Sequence, residues 1–204
     1  MALRAQLGDA AREPGDVDLV VIPETVADHP DLREFLTAAA PVPERVRWEI
    51  IWAYDDAPGW RLVCPVPVDG APDTSVQIDV VFGEALPMAP EPLALAPDTV
   101  VLAAPPALAL GWKLRWLESD SYPQGKDLYD AVLLAEHTTV DPAMVRDLLR
   151  PEIMHEADRF GPDSVERWSV DWDNFRLEYP HITGDDSAWK QRLITALRRS
   201  YGMD

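Results

Sequence analysis

The sequence has 204 residues, with 18 Lys and Arg against 36 Asp and Glu, and its formal net charge is therefore −18. This balance excludes a protein that binds nucleic acid through a uniformly basic surface. A single cysteine, Cys64, excludes an internal disulfide framework and a cysteine-rich zinc site. Hydrophobic residues make up 47% of the chain, so it can bury a core, and the high charge does not indicate disorder.

The distribution of apolar residues predicts a cytoplasmic protein. No apolar run reaches the roughly 18 uncharged residues that a membrane span needs. The first residues include Arg4 and Asp9, whereas a signal peptide would carry an apolar run there. We therefore expect no signal peptide and no membrane contact.

The first half of the chain predicts short elements separated by turns. A helix over residues 2–11 is followed by a strand that begins at Asp16, becomes fully buried and stops at Pro23. Aromatic and β-branched segments on both sides of a turn at residues 55–59 predict an antiparallel hairpin. Three further elements are expected: a helix over residues 31–40, a strand over residues 75–82, and a proline-rich connector packed on the sheet over residues 87–106.

From residue 105 onward the apolar positions follow the helical period. Helices are predicted over residues 107–118, 126–137, 142–160 with an interruption at Pro151, and 187–201. We predict an α+β fold, with a small mixed sheet domain over residues 1–104 and a helical region over residues 105–204.

Three carboxylates occupy apolar strands. Asp16 and Asp18 are two residues apart, so they share one face of the first strand, and Asp79 lies inside the apolar strand over residues 75–82. If the two strands are neighbours, the three acids converge and require a counterion. Oxygen-only ligands suit Mg²⁺ or Mn²⁺, so the pattern predicts a metal site for phosphoryl or nucleotidyl transfer. The alternative is that these are solvated acids at strand ends.

Two segments of the helical region supply candidate cations. Lys113 lies among apolar residues of its helix, where a lysine either extends to solvent or points at a buried anion. Lys126 opens the next helix, on which Asp127 and Asp130 share a face. Asp127 is alternatively an acid that favours the helix N-terminus.

The last helix carries the chain's one concentration of basic residues. These side chains either attract an RNA acceptor or pack on acidic helices of the same protein. They are Lys190, Arg192, Arg198 and Arg199. Upstream of this helix, a stripe formed by Trp168, Trp172, Phe175 and Tyr179 predicts core packing.

These motifs, in this order, resemble the AbiEii/AbiGii family of nucleotidyltransferase toxins. The matching segments are Asp16-Val17-Asp18-Leu19, Ile78-Asp79-Val80, Lys113-Leu114-Arg115 and Lys126-Asp127-Leu128-Tyr129-Asp130-Ala131. They cover roughly residues 1–137, and the last motif is the most specific. The resemblance implies a nucleotidyltransferase-like core whose active-site cleft is completed by the helical region.

The resemblance also implies a metal-dependent transfer of a nucleotide from an NTP to an acceptor such as tRNA, in a type IV toxin–antitoxin system with a cognate antitoxin. Asp16, Asp18 and Asp79 would hold Mg²⁺ or Mn²⁺, or Asp79 would act as general base. Lys113 and Arg115 would bind the nucleotide. Asp127, in preference to Asp130, would orient Lys113 or a substrate group.

The sequence departs from the family pattern at one point. The family has a phosphate-binding Gly-Ser or Gly-Thr pair upstream of Asp-x-Asp, and no such pair precedes Asp16. We expect either that translation starts upstream of Met1 or that this copy has lost the phosphate cradle. The second case predicts a catalytically degenerate binding or interaction module; a nucleotide-binding regulator without transfer is a further alternative.

Overall fold

A computed structural model of the chain describes residues 2–22, 47–54, 57–65, 75–84 and 86–203. The helix predicted over residues 31–40 lies outside these residues. The contacts form two compact units. The first comprises Met1 and Glu13–Ala85, and the second comprises Ala2–Arg12 and Leu86–Asp204.

A four-stranded sheet forms the first unit. Its strands are β1 (Asp16–Val20), β2 (Arg47–Tyr54), β3 (Ala57–Pro65) and β4 (Ser75–Val81). The strand order is β1-β4-β3-β2, with β1 parallel to β4 and both other pairs antiparallel. The predicted hairpin is confirmed as β2 and β3, and the strand predicted over residues 75–82 is confirmed as β4. A small core in this sheet contains Leu62, Val80 and Phe82.

Strand β1 differs from its prediction as a fully buried strand. It ends at Val20, and the side chains of Leu19 and Ile22 are about half exposed, at 45% and 52%. The physical reason is its position at the edge of the sheet, with β4 as its paired neighbour. An apolar run in the sequence predicts a strand, but it does not predict whether that strand lies at the centre or at the edge of the sheet.

The segment predicted as a proline-rich connector packed on the sheet is a β-hairpin, and its two strands were not predicted. Strands β5 (Glu91–Ala96) and β6 (Thr99–Ala103) pair antiparallel, and β5 contacts the N-terminal helix. Proline is tolerated on edge strands, and both strands of this two-stranded sheet are edges. The predicted boundary at residue 104 assigns this hairpin to the first region, whereas its contacts group it with the second unit.

Helices dominate the second unit. They are α1 (Ala2–Leu7), α2 (Pro106–Ser119), α3 (Gly125–His137), α4 (Pro142–Ile153), α5 (Trp172–Glu178) and α6 (Asp186–Ser200). Helix α4 is shorter than the predicted span to residue 160. Pro151 lies in its last turn and Met154 follows with a φ of 53°, so the α-helix ends there and a 3₁₀ helix follows.

The second unit has a continuous hydrophobic core. Leu114 of α2, Leu134 of α3 and Leu197 of α6 are fully buried in it. The rings of Trp172, Phe175 and Trp189, with that of Tyr129, pack with centroids 4.8 to 5.6 Å apart. This packing confirms core formation by the aromatic stripe. Within the described residues, none of the helices combines the length and hydrophobicity that crossing a bilayer requires.

Candidate active site

The register of β1 and β4 brings three carboxylates together. Asp18 lies opposite Asp79, and Asp16 lies opposite Gln77. Because alternate strand residues face the same side of a sheet, all three acids project from one face. One carboxylate oxygen from each lies within 4.8 Å of the others. Asp79 is buried, whereas Asp18 is exposed, so the cluster is open to solvent on one side.

Two neighbouring side chains hold Asp79 in place. Arg61 lies opposite Asp79 on β3. It donates from Nε to Oδ1 and from Nη2 to Oδ2, each at 2.8 Å, and the Gln77 Nε2 atom donates to Oδ2 at 2.9 Å. A carboxylate has about four acceptor positions, and these three donors leave room at Oδ1 for a further ligand.

Lys113 points at a carboxylate of its own chain. Its Nζ atom on α2 lies 2.7 Å from Oδ1 of Asp127 and 3.7 Å from Oδ2 of Asp130, both on α3. Nζ also lies 4.8 Å from the centroid of the Trp116 ring. Of the two alternatives for Lys113, the structure favours contact with a buried anion over extension of the side chain to solvent.

Arg12 completes this group of charges. Its Nε atom is 3.2 Å from both oxygens of Asp130, and Nη2 is 2.9 Å from Oδ2. Burial alone would lower the pKa of Arg12, but Asp130 and the Tyr179 hydroxyl outweigh this and raise it. Tyr129, beside Asp130, donates its hydroxyl to the carbonyl of Ala10 at 2.7 Å. Burial, and secondly the charge of Asp130, raises the pKa of Tyr129.

Arg115 lies apart from Lys113. Positions two residues apart on a helix do not face each other. Arg115 donates from Nη2 to Oε1 of Glu152 on α4 at 2.6 Å. Its predicted part in nucleotide binding stays a prediction, and its observed contact joins α2 to α4.

The basic residues of α6 are largely engaged within the chain. Lys190 contacts Asp186 at 2.8 Å and the carbonyl of Trp168 at 2.6 Å, and its hydrogen bond lowers the pKa of Asp186. Arg192 binds both carboxylate oxygens of Glu136, at 2.8 and 2.9 Å. Arg199 donates to the carbonyl of Ala135 at the end of α3. Of the two alternatives for this helix, these contacts favour packing within the protein.

Sequence reasoning missed three residues of these sites. Gln77 shares a strand face with Asp79, so its spacing could have indicated the contact. Arg61 and Arg12 meet their carboxylates across 18 and 118 residues. Only the strand register reveals the contact between Arg61 and Asp79. Only the packing of the N-terminal segment on α3 reveals the contact between Arg12 and Asp130.

The fold is that of a nucleotidyltransferase. The chain is similar in structure to MenT4, a nucleotidyltransferase toxin from Mycobacterium tuberculosis H37Rv, with a TM-score of 0.59 and 18% sequence identity. The match covers 100% of this chain and 74% of that one. At this identity the likeness establishes the fold, and it confirms the predicted α+β class.

The family follows from the sequence match. The model of the nucleotidyl transferase AbiEii toxins, of type IV toxin–antitoxin systems, matches residues 1–198. The chain therefore belongs to this family of nucleotidyltransferase toxins, and the resemblance drawn from its motifs is confirmed. No curated protein sequence matches the chain.

Proposed function

We propose that this chain transfers a nucleotide from an NTP to an acceptor hydroxyl in a reaction that requires Mg²⁺ or Mn²⁺. The observation that carries this proposal is the cluster of Asp16, Asp18 and Asp79, whose oxygens lie within 4.8 Å of one another. Membership of the AbiEii family supports the reaction type.

The donor set fits a hard divalent cation. Mg²⁺ and Mn²⁺ prefer oxygen ligands, and they commonly bind one or two carboxylates together with substrate phosphates. Three carboxylates at this separation repel one another unless positive charge is near. Arg61 supplies one such charge at Asp79, and a cation bound by the cluster would add to it. When bound, the cation supplies positive charge to the phosphate oxygens of the nucleotide.

The remaining roles belong to residues of the chain. Lys113 neutralises phosphate charge, and Asp127 orients its Nζ atom through the 2.7 Å contact. The acceptor oxygen forms a bond to the α-phosphorus as pyrophosphate leaves with the electrons of the broken P–O bond. The acceptor proton passes to a carboxylate, for which Asp79 is the candidate when Asp16 and Asp18 hold the cation.

The proposal is tested by incubating the protein with Mg²⁺, labelled NTPs and total tRNA. We expect labelled RNA, and we expect Asp18→Asn to lower the rate by at least about 100-fold, since it removes a group that organises transition-state charge. Asp98→Asn, an exposed acid in the β5–β6 turn, is the matched control and should retain the native rate. An Asp18→Asn variant as active as the control would contradict the proposed site.

Manganese binding separates the two roles of Asp79. Paramagnetic resonance of Mn²⁺ reports affinity without any turnover. A loss of affinity in Asp79→Asn indicates a metal ligand, whereas full affinity with no transfer indicates a general base. Calorimetry that shows ATP and Mg²⁺ binding to the native chain without any labelled product would favour the alternative of a binding protein that does not transfer.

The acceptor and the protein partner are part of the same proposal. We propose tRNA as acceptor, and a cognate antitoxin as partner, on the strength of the type IV toxin–antitoxin family. An RNA contact on α6 would have to compete with the pairs that Lys190 and Arg192 form with Asp186 and Glu136. The exposed Arg198 is the cation of this helix to test first.

A further inference from the structure

Four charged side chains are collected in the second unit with little access to water. The exposed fraction of the side chain is 13% for Arg12, 15% for Lys113, 8% for Asp127 and 1% for Asp130. Buried charges are costly unless they are paired and hydrogen-bonded. Here two cations face two anions, so the group as a whole is neutral.

The pairing within this group is unequal. Arg12 makes three hydrogen bonds to Asp130, whereas the Lys113 Nζ atom is 1.0 Å closer to Asp127 (2.7 Å) than to Asp130 (3.7 Å). A guanidinium matches the two oxygens of a carboxylate, which an ammonium group cannot do. Arg12 therefore satisfies Asp130 and leaves Lys113 to pair with Asp127.

The charge count shows what Arg12 changes for Lys113. With Arg12 present, the charges of Arg12, Lys113, Asp127 and Asp130 sum to zero. Without it, Lys113 faces two carboxylates, and the group carries −1, which repels a phosphate. Without the charge of Asp130 instead, the group carries +1, which attracts one.

We propose that Arg12 is a positioning residue for polyphosphate binding: by neutralising Asp130, it leaves Lys113 facing one carboxylate, that of Asp127, and removes the negative excess that would repel a phosphate. This inference rests on the proposed function, in which Lys113 binds the nucleotide phosphates. It assigns Arg12 no contact with the substrate.

Inorganic triphosphate is the probe, because it presents the phosphate charge without a base and can be used in a metal-free buffer. We expect Arg12→Gln to weaken its binding by about tenfold, as one positive charge is lost at short range in a partly buried site. We expect Asp130→Asn to bind at least as tightly as the native chain. The double variant, which is neutral again, should return to within about threefold of native affinity.

A merely structural ion pair predicts a different pattern. Both single variants would then weaken binding alike, and the double variant, which also lacks the pair, would bind no better than Arg12→Gln. That pattern would overturn the inference. Arg150→Gln, which breaks exposed ion pairs with Asp147 and Asp158, is the matched arginine control and should bind normally. Thermal unfolding of each variant confirms that it folds.

Arg12→Gln leaves the buried carboxylate of Asp130 without its arginine partner, so it is the variant most at risk of not folding. Asp130→Asn and the double variant then still decide the question, since the inference requires Asp130→Asn to bind at least as tightly as the double variant. Weaker binding by Asp130→Asn would overturn it.

The NMR signal of Lys113 tests whether Arg12 affects triphosphate binding through this lysine. The chain has three lysines, Lys113, Lys126 and Lys190, so ¹³Cε-labelled lysine gives three signals. Triphosphate should move the Lys113 signal in the native chain and move it less, at equal concentration, in Arg12→Gln. A native spectrum in which Lys113 does not respond would overturn its phosphate role and both proposals. A native response with equal affinities in all variants would overturn the role of Arg12 alone.

Discussion

Arg61 shares Asp79 with the proposed cation, so its positive charge opposes metal binding while its hydrogen bonds hold the ligand in place. Arg61→Gln separates these two effects. We expect the variant to bind Mn²⁺ about threefold to tenfold more tightly, because a repelling charge beside the cluster is removed. We expect its free energy of unfolding to fall by about 1–2 kcal/mol, a value reduced from that of a buried charged pair because Arg61 is partly exposed.

Mn²⁺ titration and urea unfolding measure these two quantities on the same samples. Arg176→Gln, an exposed arginine of α5, is the control and should change neither. A loss of Mn²⁺ affinity in Arg61→Gln would contradict the prediction, and it would mean that alignment of Asp79 outweighs the repulsion between the arginine and the metal.

For single residues, the sequence indicated which residue types stand out, but it did not indicate which partners they contact. Asp16, Asp18 and Asp79 stand out because an acid in an apolar strand is costly without compensation. Their convergence depended on β1 and β4 being neighbours, a pairing between segments about 60 residues apart in the chain. The contact between Arg12 and Asp130 could not be predicted in this way, since a single arginine at the end of the N-terminal segment gives no indication of its partner.

At the scale of elements, the start of α3 is fixed by a close approach of backbones. A Cβ atom added to Gly125 would lie 2.5 Å from the Cβ of Phe175 and 2.8 Å from the carbonyl oxygen of Asp171. Neither contact can be relieved by rotating a flexible side chain, so α3 would have to move away from α5. The residues displaced first are Lys126 and Asp127, which follow directly in the chain.

We therefore expect Gly125→Ala to lower the free energy of unfolding by about 1–3 kcal/mol, the range for an overpacked site. Nucleotide transfer should fall with it, because Asp127 would lose its position beside Lys113. Gly15→Ala is the matched control, since an added Cβ there meets no atom within 4 Å. Urea unfolding checks the first expectation and the tRNA-labelling rate checks the second. Equal stability of the two variants would contradict the steric argument.

Helices and strands differed in how well local pattern predicted them. The bounds of α2, α3 and α6 agree with the sequence to within a residue at each end, because the apolar period of a helix is a local signal. The hairpin of β5 and β6 was not predicted, because prolines disfavour a strand unless it lies at a sheet edge, and only the finished two-stranded sheet shows that both strands are edges.

For the whole molecule, the net charge of −18 is the property that an RNA acceptor meets first. A protein that binds RNA through many lysines and arginines loses affinity steeply as salt rises, because each phosphate contact releases counterions. This chain is acidic overall, and Lys190 and Arg192 on its basic helix are paired with acids. Long-range repulsion, which salt screens, should therefore control the approach of tRNA.

We expect the association rate of fluorescent tRNA to rise by about twofold to fivefold between about 20 mM and about 200 mM KCl at constant Mg²⁺, as the Debye length shortens from about 20 Å to below 10 Å. Stopped-flow mixing measures this rate directly. Arg198→Gln should lower the rate at every salt concentration while keeping the upward slope, since it removes one exposed cation and leaves the overall charge strongly negative. A rate that falls steeply with salt in the native chain would mean that a concentrated basic surface receives the RNA, in conflict with the ion pairs that occupy α6.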